Sequence, residues 1–337
     1  MLFVGVFFLV LLFSVQRRKD IDLDYLNRDK TMAMRGIMAC AIVLTHMVSE
    51  SYKDMTAGWI INSVIPSLVC MFLFYSGYGL FVSLDAKGEK YLQYFWGNTI
   101  RKLVIPALLC VIMNVTIKIL FENILIEREA IINEMLSIGG WYLRVTLLLY
   151  GFFWISAYCC SNRSCQLRLL IFMVLAYMII CKIFGISFTY YVEAPVFLLG
   201  VCWYVYKERI RLLFASKFFP VSLIFSCTVS IFAGQIPYLL SCGVLSNGRG
   251  IGLIGGTLGA ICFCYVCLNF LRHFDFRNRI FSSFGSVAYE MYLLGEMAKT
   301  ISENFARSAY EYYFMYILVS AGGAFLLQRI LKLVRLL

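Results

Sequence analysis

Charge is what this chain has least of. Asp, Glu, Lys and Arg make up 15% of its 337 residues, where an ordinary globular chain carries about 25%. With 61% hydrophobic residues and a mean hydropathy of +0.81, that scarcity excludes a soluble domain. Histidine is scarcer still, with two in the chain, so the ligand sets that zinc needs have little to draw on. The thirteen cysteines fall mostly inside apolar runs, where free Cys behaves as a small hydrophobe, and this excludes a disulfide framework. Cys262, Cys264 and Cys267 come nearest to a metal pattern, but they share one apolar stretch, and no metal site is read there. Long polar linkers and low-complexity tracts are also missing. What remains is an all-α integral membrane protein whose chemistry belongs to the helix bundle.

The first fifteen residues are apolar and run directly into Arg17, Arg18 and Lys19. A secretory signal has its charges before the apolar run, so residues 1–16 read as a retained transmembrane helix with its C-terminal end inside. Further apolar segments at about 31–50, 58–84, 99–121, 139–160, 167–185, 186–206, 218–240, 250–272, 280–299 and 312–334 have the length a span requires, for about eleven in all. Alternating them from the first anchor places most of the 30 Lys and Arg in cytoplasmic connectors, including Lys30, Lys87, Lys90, Arg163, Lys207 and Arg279. The net charge of +11 is thus a matter of topology, and no nucleic acid is implied. The acidic stretch from Glu122 to Glu134 falls outside. Pro66, Pro106, Pro195, Pro220 and Pro237 sit in or beside spans, where kinks are expected. Gly252, Gly255, Gly256 and Gly259 have the small-xxx-small spacing of close helix contacts.

The segment at 31–50 is singular because it holds both Arg35 and His46. Ionisable groups inside a span are costly and mark function. Eleven residues of α-helix make about three turns and about 16 Å of rise, so the two side chains share a face. His46 is a candidate general base or acid, since imidazole titrates near neutrality; the bland alternative is an interhelical hydrogen bond. Arg35 either anchors the helix at the cytoplasmic surface or binds a phosphate through its guanidinium fork. Glu193 and Glu290 are further carboxylates set in apolar sequence, with Glu296 near an outer end. They are either catalytic or structural partners of groups such as Arg144 and Lys182. The basic cluster Lys87, Lys90, Arg101 and Lys102 is either a solvated loop or a site for a coenzyme phosphate.

Several stretches resemble the acyltransferase family 3 membrane proteins, bacterial O-acyltransferases of surface polysaccharides and related acceptors. RGIMACAIVLTH has the family's arginine, ten residues, then histidine. FLFYSGYGLFVSL is similar to its aromatic run ending in Ser76, Gly77 and Tyr78; GNTIRKLVIP to its basic stretch before a proline; FGSVAYEMYLL to its late-helix pattern; and EAPVFLLGVCW to its Pro- and Gly-containing helix. The resemblance implies a ten-span domain over residues 30–334, with residues 1–16 as an addition. It further implies transfer of an acyl group, acetyl above all, from cytoplasmic acyl-coenzyme A (acetyl-CoA) to a carbohydrate or cell-surface glycan outside a bacterial plasma membrane. His46 would be the base, Arg35 the group that holds the donor, and Glu193 and Glu290 the other catalytic candidates. Arg101, Lys102 and Ser76 would meet the coenzyme, with no resident cofactor and no metal. Two positions depart from the family: Lys102 stands in place of a second arginine, and Gly295 stands where many members have histidine. The rival reading is a transporter or flippase of lipid-linked sugars, and a third is an inactive relative. The oligomeric state is not legible.

Overall fold

The computed structural model describes residues 15–17, 24–51, 56–122, 140–241, 249–276 and 278–336. The expected helix at 1–16 and the acidic stretch between Glu122 and Glu134 lie largely outside them. The fold is all-α. In chain order the longer helices are α1 (Arg28–Ser51), α2 (Thr56–Lys87), then two short turns and α3 (Ile105–Glu122), α4 (Gly140–Cys159), α5 (Arg163–Ile183), α6 (Ala194–Val205), α7 (Lys207–Ala215), α8 (Phe219–Ser241) and α9 (Arg249–His273). There follow α10 (Arg279–Ser286), α11 (Ala288–Leu293), α12 (Gly295–Phe305), α13 (Ala309–Ile317) and α14 (Gly323–Leu336). Gln16–Arg17 (β1) and Phe274–Asp275 (β2) form a two-residue antiparallel ladder.

Among the described residues, seven helices are long and apolar enough to cross a membrane, or up to eight if the bent pair Lys207–Phe214 and Phe219–Ala233 is one span. They coincide with the expected spans with two exceptions. The segment at 31–50 forms a helix, α1, which is not among the seven because residues 45 and 47–50 lie outside those whose side chains are described. The segment at 280–299, expected as one helix, is three: it breaks at Val287 and Leu294. Val287 and Leu294 each close one helix and open the next: Val287 N donates to Phe284 O while its own carbonyl accepts from Met291 N, and Leu294 N donates to Glu290 O while its carbonyl accepts from Ala298 N.

The chain divides into two compact units. The first comprises residues 1–61, 100–140 and 270–337. Within it α10 lies along α1 in direct backbone contact. A Cβ on Gly36 would stand 1.8 Å from the Phe281 carbonyl oxygen and 2.8 Å from Gly285 N, and one on Gly285 would stand 1.9 Å from Met32 O. Only glycine permits that approach. α11 packs on both α1 and α3, and α12 packs on α3 and α13. Caps fix the starts: Asn278 Oδ1 accepts from Ile280 N at 2.8 Å, and Ser308 Oγ accepts from Glu311 N at 3.3 Å while Glu311 reaches back to Arg307 N. The β1–β2 ladder ties residues 16–17 to 274–275, two segments that the charge count places on one side.

The second unit comprises residues 62–99 and 141–269. Its core is aromatic: Phe81, Phe95, Phe153 and Phe197 are fully buried, with Phe81 and Phe153 edge to face at 5.4 Å. Here too glycines set the closest crossing, since a Cβ on Gly77 would fall 2.2 Å from Phe197 O and one on Gly200 2.1 Å from Phe74 O. Gly256 and Gly259 act as expected of the small-residue stripe. Added methyls there would meet Phe188 at 2.8 Å and Ala233 at 2.4 Å. At one end, Arg163 makes a bidentate pair with Asp85, which also accepts from the Tyr204 hydroxyl at 2.7 Å. That cluster joins the ends of α2, α5 and α6.

Candidate active site

Arg35 and His46 both lie on α1, with Arg35 half-buried and His46 exposed. Their separation along the axis is about 16 Å. At that distance they cannot touch the same reacting atoms, so whatever they serve must be elongated or must lie at two points along the helix. An exposed imidazole is open to a substrate, whereas a buried one would be a packing group.

Arg101 and Lys102 are exposed and lie on a π-helical stretch, Ile100–Val104. Its cause is legible one turn on. Pro106 has no N–H to give the Lys102 carbonyl, and the widened turn is how the backbone accommodates the loss. The Leu103 carbonyl in this stretch accepts instead from the Tyr289 hydroxyl at 2.8 Å. Glu290, half-buried on α11, sits close enough to Cys110 of α3 to interact with it electrostatically.

The first unit therefore gathers Arg35, His46, Arg101, Lys102 and Glu290. Gly36 and Gly285 hold α1 against α10, and Tyr289 holds α11 to the π stretch. The other two candidates belong to the second unit. Ser76 is half-buried on α2 and has no hydrogen-bonding partner among the described residues, so no base activates it there. Glu193 is 5% exposed, accepts from the Cys70 thiol, and keeps Oε2 without a partner among the described residues. Cys264, fully buried, is its other sulfur neighbour.

A family model described as an acyltransferase domain matches residues 24–329. The chain belongs to this acyltransferase family. The match runs from the turn before α1 into α14, so it takes in both units and every candidate named above. Searches of curated proteins and of solved structures returned no match. Membership makes this chain a multi-pass membrane acyltransferase of that family. Sequence reading missed Tyr289, Gly36 and Gly285 as residues that join the segments carrying these candidates. Tyr289 stood inside a quoted stretch, and its role depends on a partner 186 residues away.

Proposed function

We propose that the chain carries an acyl group, acetyl in the simplest case, from acyl-coenzyme A in the cytoplasm to a hydroxyl of an extracytoplasmic carbohydrate or cell-surface glycan in a bacterial plasma membrane. The observation that carries this reading is the convergence in one unit of the Arg35–His46 helix, the cationic π stretch and α11.

His46 takes the proton of the acceptor hydroxyl as its oxygen attacks the thioester carbonyl. A C–O bond forms, the C–S bond breaks, and the proton passes from the imidazolium to the departing coenzyme thiolate. Arg35, about 16 Å back along α1, holds the donor at a distance from the reacting carbon. Arg101 and Lys102, exposed and cationic, meet the coenzyme pyrophosphate. Glu290 braces this set from α11. Direct transfer suits the site better than an acyl-enzyme, because the Ser76 hydroxyl makes no hydrogen bond to a base among the described residues.

The test supplies labelled acetyl-coenzyme A to the cytoplasmic face of sealed membranes and follows label onto external glycan. Wild type is expected to transfer label, and His46→Gln, which keeps volume but not titration, is expected to lose about 10²–10⁴ in rate while inserting normally. Full labelling by His46→Gln removes the histidine from the chemistry. Movement of a glycan across the membrane with no label from the coenzyme replaces the reading by transport.

A further inference from the structure

A cavity of about 860 Å³ opens in the first unit where α1 and α10 begin, and none of the chemistry above uses it. Its walls include Asn27, Asp29 and Lys30 at the start of α1, and Asp275, Arg279 and Ser282 around the start of α10. The volume is that of a small-molecule site, but the lining is polar and charged. Three of these side chains are uncommitted. The Arg279 guanidinium makes no hydrogen bond or ion pair with any described residue, and the same holds for the Asp29 carboxylate and the Ser282 hydroxyl. Opposite charges sharing one cavity usually pair with each other, and here both are left facing the open space. Nearby groups are already engaged: Asn278 caps α10, and Lys30 donates to the Asp24 carbonyl at 3.0 Å.

The mixture of signs narrows the ligand. A bare polyanion would be repelled by Asp29 and Asp275, and an apolar guest would leave the side chains of Arg279, Asp29 and Ser282 unsatisfied. A nucleoside phosphate suits it, because its phosphate needs a guanidinium while its ribose hydroxyls and base amino group donate to carboxylates. Position narrows it further. Arg35 is five residues beyond Lys30 on the same helix, about 7.5 Å along the axis, and His46 lies farther along in the same direction. A ligand anchored in the cavity by its nucleotide could extend an arm past Arg35 toward His46.

We propose that the cavity holds the 3′-phosphorylated adenosine of the donor coenzyme, with Arg279 and Ser282 on the 3′-phosphate and Asp29 on a donor of the ribose or base. This rests on the acyl-coenzyme A reading given above. It separates the two ends of the donor: Arg101 and Lys102 meet the pyrophosphate, and Arg279 recognises the phosphate that dephospho-coenzyme A lacks.

The experiment measures equilibrium binding of coenzyme A and of dephospho-coenzyme A to the full-length protein in phosphatidylcholine nanodiscs, for wild type, Arg279→Ala, Arg279→Lys and Ser282→Ala. Wild type is expected to prefer coenzyme A by about tenfold or more, the worth of one charge-assisted phosphate contact. Arg279→Ala brings the ratio to about one, Arg279→Lys keeps part of it because the charge remains, and Ser282→Ala lowers it by a few fold. Equal ligand-free melting of the variants shows that folding is intact. A wild type that does not distinguish the two coenzymes, or an Arg279→Ala that still does, overturns the site and leaves the donor reading standing. A wild type that binds neither coenzyme and transfers no acyl group sinks the donor reading itself, before Arg279 enters. Repeating the titration in phosphatidylglycerol nanodiscs separates the other source of phosphate: displacement of coenzyme A by the anionic lipid in wild type but not in Arg279→Ala assigns the cavity to a lipid headgroup and also overturns the proposal.

Discussion

The hydroxyl of Tyr289 donates to the backbone carbonyl of Leu103 at 2.8 Å. The bond closes on a π-helical turn that Pro106 has already deprived of one donor. It thereby fixes the strip of backbone from which Arg101 and Lys102 project, and it couples that strip to the helix bearing Glu290. A single phenol thus links two segments that are each exposed or half-buried.

Tyr289→Phe removes that donor and leaves the ring. The expected loss of stability is about 1 kcal/mol, the net worth of one such hydrogen bond. Function should change in the donor dimension: a raised KM for acyl-coenzyme A with kcat nearly kept, because the cations move while the base does not. A fall in kcat at unchanged KM would show that Tyr289 acts on the reacting atoms instead.

Glycine contacts between helices give a sharper contrast. Gly36→Ala and Gly285→Ala place a methyl within 2 Å of a facing carbonyl oxygen, where no side-chain rotation can relieve it. Each should cost about 1–3 kcal/mol or more and reduce the amount of folded protein recovered. Gly79→Ala is the control on α2: nothing lies within 4 Å of its Cβ position, and alanine favours helix by about 1 kcal/mol. Melting temperatures of the three variants should therefore fall, fall and hold or rise. Equal behaviour would mean that α1 and α10 do not meet at Gly36 and Gly285.

Much of this architecture was legible from residue order. Apolar length located the spans, and the Arg35–His46 segment stood out because neither residue belongs in lipid. Pro106 marked where a helix would have to yield, though sequence could not say that the yield would be a π turn or that Tyr289 would meet it. The region at 280–299 read as one helix because its apolar content is continuous, while its two breaks are local departures that hydropathy does not encode. Gly36 and Gly285 look like any other glycines in apolar sequence. Their meaning lies in a partner about 250 residues away, and pairings of that kind are set by tertiary packing. The cavity at Lys30 and Arg279 was hidden for the same reason, since its two walls come from opposite ends of the chain.

The loop after α4 offers a pH-dependent test. Cys160 Sγ and Cys165 Sγ lie 2.8 Å apart, and this hydrogen bond pushes the Cys160 thiol up to about 11. A raised pKa means less thiolate at neutral pH, and thiolate is the reacting species. Alkylation of Cys160 should be slow near pH 7 and should accelerate through the range up to about pH 11; in Cys165→Ser it should be faster at neutral pH. Mass spectrometry of the modified peptide reads both rates. Because the charge count puts this loop inside, a membrane-impermeant maleimide should fail to reach it in intact cells, and labelling there would reverse the orientation.

The two carboxylates separate by their surroundings. Glu193 is walled in at 5% exposure with one oxygen unpartnered among the described residues, and its bonded neighbour is a thiol. Replacing it by Gln keeps the volume and removes a group that is costly to bury in ionised form, so Glu193→Gln should leave stability equal or higher. Glu290 sits half-buried on α11 between α1 and α3, in the unit that holds Arg35 and His46. Glu290→Gln should lower acyl transfer by about ten- to a hundredfold, since small displacements of a positioned group cost that much. The pH profile distinguishes the roles: a bracing carboxylate shifts the height of the curve, while a carboxylate that exchanges protons with substrate removes one of its limbs. A Glu290→Gln enzyme with wild-type rate would leave α1 and the π stretch as the whole site.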